Sequence, residues 1–443
     1  MLNIRYTYRL ITAFLKRFKV IILLGVFFGI ATFFLFRTLI PKISLQKTEI
    51  YGITGRHHIE DLPFLILDHI SDGLTGVDKN GVAYPKLASS WETIDKGKTW
   101  IFKLKDTKWQ DGEKVTSDQI NYEFSDVNIE RPDDETIIFV LKEPFSPFPS
   151  VVSKPVFKKG LLGTGDWQVD KITISAGFVQ NLTLIKNENK EIKYKKIFKF
   201  YPTDGQTKLA YKLGEIDIID NTINSSLFES WKNTKIESYY EKNQIVTIFF
   251  NVQDETLSEK SIRQALHYAI DKDSFEGERA LGPISEISWV FNPQVKNYDY
   301  DQDRARKLLE DLPEEMINNL EIKLVSSPPL LDVADNISKD WAEIGIKSVV
   351  QVSSVIPSNF QVFLAIFEVP KDPDQYPIWH STQAETNITA YSSPRIDKLL
   401  EDGRSELNSD NRKKIYLDFQ RFLIEDSPAA FLYYPSVYTI KRI

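Results

Sequence analysis

With 443 residues, of which 42% are hydrophobic and 12% aromatic, the chain is long enough for two or three domains and too apolar to remain disordered. It has no cysteine, which excludes disulfides, thiolate metal sites, cysteine nucleophiles and a cysteine-linked lipid anchor. The net charge of −7 conceals seven basic and no acidic side chains in residues 1–42, so the remainder is more acidic than the total and argues against a nucleic-acid partner.

The basic start adjoins an uncharged run of seventeen residues, Val20 to Phe36, at the short end of what spans a bilayer. Arg5, Arg9, Lys16, Arg17 and Lys19 precede it, and only Arg37 and Lys42 follow closely. The positive-inside rule puts the N-terminus in the cytoplasm and the chain beyond residue 42 outside. The basic region is long and no small-x-small site follows the run, so an uncleaved anchor is expected rather than a cleaved signal peptide.

Beyond this anchor the pattern is mixed α/β. TEIYGITG (48–55) reads as a strand, and Leu62, Leu65, Ile66 and Ile70 give helical spacing to 62–74. In TWIFKLKDTKW (99–109), Trp100, Phe102 and Leu104 share one face of an alternating strand. Asp111-Gly112 is turn chemistry, and Thr116-Ser117-Asp118-Gln119 fits a capping box. Ile120 and Phe124 follow it at helical spacing, so a helix is predicted to start at Thr116. A strand over 135–144 ends at Pro144, and amphipathic helices are predicted over 258–275 and 301–312. Strand 320–327, helix 330–344 stopped by Gly345, and strands 346–354 and 360–369 form a βαβ unit with a largely parallel sheet. Two helices, 395–407 and 411–426, precede a final apolar strand at 429–440.

Catalytic signatures do not appear: there is no GxSxG elbow, Walker loop, HExxH or dinucleotide fingerprint. The densest polar cluster is RHHIED, containing His57, His58, Glu60 and Asp61. Adjacent histidines diverge on a strand, so a polar loop is favoured over a metal site or a metal-dependent enzyme. Glu401 and Asp402 read as a solvated helix face. Trp379 and His380, in YPIWHS, stand open between ligand contact and packing. Cofactors are not called for.

Several stretches, in order, resemble the extracellular solute-binding proteins of ABC importers, family 5, the peptide, oligopeptide and nickel class. They are GVAYPKLASSWETIDKGKTWIFKLKDTKWQDGEKVTSDQINYEF, FFNVQDETLSEKSIRQALHYAIDKDSF, YDYDQDRARKLLEDL with WAEIGIKSVVQ, DPDQYPIWHS, and NITAYSSPRIDKLLEDG with NRKKIYLDFQRFLIEDSPAAFLYY. The resemblance implies a two-lobed, type II periplasmic-binding-protein-like α/β fold, preceded here by one transmembrane helix. It places residues 46–245 and the C-terminal strand 429–443 in lobe one, and 246–428 in lobe two. A monomer is implied that closes on a peptide or small solute and delivers it to permease subunits without transforming it. The runner-up is a degenerate member acting as an interaction or sensory module, with a non-peptide ligand or none.

The sequence departs from the family pattern in three places. The extra subdomain is expected to be reduced, because Asp126 runs almost directly into the next strand. The sequence stops at Ile443, where family members usually continue with further first-lobe segments. Where the resemblance puts the aspartate that holds a peptide's amino group, this chain has Val369, with Glu368 beside it. The implied ligand contacts are Glu60, Asp61 and Leu62 on lobe one, and Glu368, Asp372, Trp379 and His380 on lobe two. A shift of one residue along a strand turns a side chain to the opposite face, so loss of the amino-group anchor is expected.

Overall fold

The computed structural model describes residues 4–39, 47–188, 191–313 and 320–443. The domain boundary expected at 42–46 lies outside these. Helix Ile4–Leu39 contains the stretch Thr12–Phe34, which is long and apolar enough to cross a membrane by length and composition. It begins earlier than the uncharged run because Thr12 to Leu15 extend the apolar segment ahead of Lys16.

Two sheets make up the body. In the first, Lys47–Thr54 pairs in parallel with Glu191–Tyr201 (Lys47 opposite Tyr194, Thr54 opposite Tyr201) and with Ile218–Thr222. Antiparallel strands Phe178–Glu188 and Gln168–Ser175 extend its outer edge. In the second, Gln244–Phe250 pairs antiparallel with Val362–Glu368, from Gln244 opposite Glu368 to Phe250 opposite Val362. The predicted βαβ unit is present: Glu321–Ser326 lies parallel to both Lys347–Val352 and Val362–Glu368. Its helix, Leu331–Glu343, buries Ala334, Ile337 and Trp341, and the Trp341 indole N–H donates to the Leu266 carbonyl at 3.0 Å. Gly345 then turns the chain at φ +84, a conformation that costs glycine little.

The last strand, Ala429–Arg442, belongs to both sheets. Its first half faces Gln244–Phe250 and Gly277–Arg279, and its second half runs antiparallel to Thr234–Tyr240, from Ser436 opposite Tyr240 to Arg442 opposite Thr234. Hydrogen bonding therefore continues through 12 strands. The sequence placed this strand wholly in lobe one. Residues 429–434 instead lie in the core of the second half, because AAFLYY is an unbroken apolar run that suits a strand covered on both faces. The chain changes sheet at residues 241–243 and again at Pro435–Ser436, where the Glu241 N–H donates to the Pro435 carbonyl at 3.0 Å.

A third, four-stranded antiparallel sheet is built from Ala88–Thr93, Thr99–Leu104, Thr136–Val140 and Asn128–Asp133. It has its own aromatic core, including Trp100, Phe102, Phe139 and Phe148. The capping box forms, with the Thr116 N–H donating to Gln119 Oε1 at 3.2 Å, yet the predicted helix is a single 3-10 turn, Ser117–Gln119. Ile120 leaves it in an extended conformation because Ile120 and Tyr122 are needed in the core. There the Tyr122 hydroxyl donates to the Val152 carbonyl at 2.7 Å and accepts from the Leu74 N–H at 3.1 Å. From Ile120 to Val127 the chain has neither strand nor helix, and the unit has a four-stranded sheet and a core of its own. It also touches the second half, through Ser146 N–H to the Arg404 carbonyl at 2.7 Å and Trp289 N–H to the Asn80 carbonyl at 3.1 Å.

Candidate ligand cleft

A cleft of about 1240 Å³ lies where the two halves face each other. One wall is the carboxyl ends of the parallel strands, with Tyr51 and Thr54 from Lys47–Thr54 and Asp220 to Thr222 from the neighbouring strand. Strand ends are exposed there because a crossover leaves each strand, the usual ligand position in open α/β sheets. The other wall combines Ile366 and Glu368 with the first turns of helix Leu331–Glu343, from Asp332 to Asn336. Tyr433, Pro435 and Ser436, on the strand shared by both halves, also line it. The volume exceeds that of ordinary small-molecule pockets, about 300–1,000 Å³, and leaves room for a short peptide with water.

Acidic groups outnumber basic ones in this lining. Asp68, Asp204, Asp220, Glu276, Asp332 and Glu368 face the cleft with only two lysines, Lys196 and Lys208. Lys208 is neutralised by Asp204, 2.8 Å away and one helical turn earlier. Glu368 accepts a hydrogen bond from Gln244 Nε2 at 2.8 Å through one oxygen, and among the described residues the other has no hydrogen-bond donor. Asp220 accepts from the Thr439 hydroxyl at 2.6 Å. Asn221 beside it sits at φ +57, a left-handed conformation that asparagine tolerates better than most residues and that functional sites favour.

The residues expected from sequence divide. Glu368 is on the cleft wall. Along its strand Ile366 and Glu368 line the cleft, while Phe367 and Val369 are buried in the core of the second half. Faces do alternate, and the residue turned away is Val369, while Glu368, named among the expected contacts, is on the cleft side. Asp372 lies off the cleft, held by Arg412 at 2.6 and 3.1 Å. Trp379 is 1% exposed and stacks on Phe249 with ring centres 6.4 Å apart. Its N–H donates to Gln375 Oε1 at 3.1 Å. His380 is buried too, its ring 4.0 Å from that of Tyr376 and its Nδ1 2.8 Å from the Thr382 hydroxyl. Packing therefore accounts for both. Leu62 is in the core of the first half, and Glu60 and Asp61 are exposed on the turn Ile59–Asp61. Their neighbours His57 and Pro63, rather than they, line the cleft.

The two histidines diverge: His57 Nδ1 lies 3.1 Å from the Asp61 carbonyl, and His58 Nδ1 lies 2.9 Å from the Gly177 carbonyl. Among the described residues no group of three or more His, Cys, Asp or Glu is placed to hold a metal. Sequence reasoning passed over Lys196, His69 and the Asp220–Asn224 segment. Lys196 did carry a signal, since it is in phase with Phe198 and Phe200 on the apolar face of an alternating strand.

Two α/β halves joined by crossing strands, with a polar-anchored cleft between them, define a two-lobed solute-binding protein. The model of the bacterial extracellular solute-binding proteins, family 5 (Middle region), matches residues 82–376, and the chain belongs to that family. It is similar to the dipeptide-binding protein of Escherichia coli K12, 21% identical over 437 residues, covering 80% of this chain and 81% of that one. Among solved structures it resembles CtaP of Listeria monocytogenes, an ABC transporter substrate-binding protein, with a TM-score of 0.75 and 19% identity over 90% of this chain and 94% of that one. NikZ of Campylobacter jejuni, in complex with Ni(L-His), superposes with a TM-score of 0.73 at 23% identity, covering 89% and 94%. The dipeptide-binding protein and CtaP are both described as binding proteins.

Proposed function

We propose that this chain is the membrane-anchored capture component of a peptide-type ABC importer, enclosing a peptide between its halves outside the cell and passing it to permease subunits as a monomer. The observation that carries the reading is Glu368, a carboxylate on the wall of an acid-rich cleft, with one oxygen that has no hydrogen-bond donor among the described residues. It stands one residue from the position where the resemblance puts the amine-binding aspartate, and it faces the ligand space. Relatives described as dipeptide-binding support the ligand class. Helix Ile4–Leu39, basic before its apolar stretch, supports a cytoplasmic N-terminus with the body outside. Residues 47–240 with Ser436–Arg442 would move as one lobe, and 244–435 as the other, hinged where the two segments cross. The loop carrying Glu60 and Asp61 would contribute to the rim.

A thermal-shift screen of the full chain in detergent against peptide pools and divalent metal ions tests this. A peptide at a hundred times its dissociation constant stabilises the folded state by about 2.7 kcal/mol. A shift with peptides is expected. A shift with metal ions alone, or with nothing, would contradict the proposal.

A further inference from the structure

Several partly buried lysines of this fold are fully paired. Lys86 bridges Asp68 and Asp72, each at 2.8 Å, and buried Lys272 donates to three carbonyls at 2.6, 3.0 and 2.7 Å. Lys196 is different. It lines the cleft half-buried, with no carboxylate of the described residues within ion-pair distance. Among the described residues its one hydrogen-bond partner is His69 Nε2 at 3.1 Å, and its ammonium sits 4.8 Å from the centre of the Trp167 ring and 5.8 Å from that of Tyr51.

The chemistry of this cluster is that of an anion site. If His69 accepts through Nε2, its proton is on Nδ1 and the ring is neutral. Burial, then the Lys196 charge, pushes its pKa down and supports that form. One ammonium proton is then engaged and two remain for a ligand. Aromatic faces hold a cation without neutralising it. Burial also pushes the Lys196 pKa down, with Glu49 and Asp220 opposing from farther away. An ammonium kept partly desolvated without a counter-ion gains most when an anionic ligand enters, because the ligand supplies the missing charge.

We propose that Lys196, with His69 and Trp167, forms a carboxylate-binding subsite in the wall of the first half. The preferred ligand is then zwitterionic, with its anionic end at Lys196 and its cationic end at Glu368 and the other acidic groups of the second half. This rests on the peptide reading of the same cleft, and it adds a free carboxyl terminus to the ligand's description. It also gives closure a physical basis, since a ligand whose two charges bind on opposite halves draws them together.

Calorimetric titration of trialanine and of trialanine amide into the wild-type chain, Lys196→Met and Lys196→Arg tests it. The wild type should prefer the free acid by about tenfold or more, Lys196→Arg should keep that preference, and Lys196→Met should bind both forms alike. Equal binding of the two forms to the wild type overturns the subsite and leaves the peptide reading intact. If neither form binds, the peptide reading fails separately, and succinate followed by tryptophan fluorescence decides the subsite. Saturable quenching present in wild type and absent in Lys196→Met sustains it; no quenching overturns it. Lys196→Met should also melt no earlier than the wild type, because a lysine without an ion pair contributes little to folding. A clear loss of stability would mark a structural lysine and contradict the proposal.

Discussion

Arg412 grips Asp372 with both terminal guanidinium nitrogens, at 2.6 and 3.1 Å, and the two side chains are only 8% and 14% exposed. The bidentate geometry fixes helix Ser409–Asp426 against the loop that follows Val362–Glu368. Asp372 thus holds the second half together. Asp372→Asn should destabilise by about 3–5 kcal/mol, because it leaves a buried guanidinium uncompensated. Urea unfolding measures this, and ligand affinity of the folded fraction should be unchanged. A weakened ligand with unchanged stability would return Asp372 to the binding site.

Trp379 makes the same point for apolar packing. It lies against Phe249 and Phe431 in the largest core, so Trp379→Ala should cost about 3–5 kcal/mol through lost contacts and a residual cavity. Trp379→Phe should recover a substantial part of that loss. The midpoint of denaturant unfolding reports both, and a variant that loses binding at full stability would contradict the packing role.

Acid should weaken the fold through His267. Its ring stacks on Tyr298 at 4.0 Å, and Nε2 is buried without a hydrogen-bond partner. Burial, followed by the charges of Lys272, Arg279 and Lys296, holds its pKa well below the usual histidine value. Above about pH 6.5 the group is neutral whether the chain is folded or not. Below it the unfolded chain takes up a proton that the folded chain refuses, so stability falls as pH falls, by about 1.4 kcal/mol per unit. His267→Phe keeps the stack and should flatten that part of the acid limb. An unchanged slope in urea unfolding would show that His267 is not its source.

For the N-terminal helix, intact mass of the membrane-extracted chain separates anchor from leader. Retention of residues 20–36 is expected. A mature terminus beyond Phe36 would instead identify a cleaved signal.

The secondary structure of the βαβ unit was legible because Ala334, Ile337 and Trp341 repeat at helical spacing between two apolar strands. The region after Thr116 misled for a tertiary reason. Its capping box forms as the local pattern asks, but Ile120 and Tyr122 gain more from the small sheet's core than from a second helical turn. The shared role of Ala429–Arg442 was hidden too, since neither apolarity nor alternation says which of two sheets a strand joins. In the candidate site, Glu368 was visible from its neighbour Val369, whereas Asp372, Trp379 and His380 sit in a similar-looking polar and aromatic motif that folds inward. Lys196 and His69 meet across 127 positions of sequence, a separation that no local pattern spans.

The most direct measurement is a titration of one tripeptide, with free and with acetylated amino terminus, into the wild-type chain and Glu368→Gln. Glu368 is exposed, so its partnership with an ammonium should be weaker than a buried pair, yet acetylation should still lower wild-type affinity by about tenfold. In Glu368→Gln the two forms should bind alike, at the level of the acetylated peptide on wild type. Equal affinity of the two forms for the wild type would contradict capture of a peptide by its amino group in this cleft.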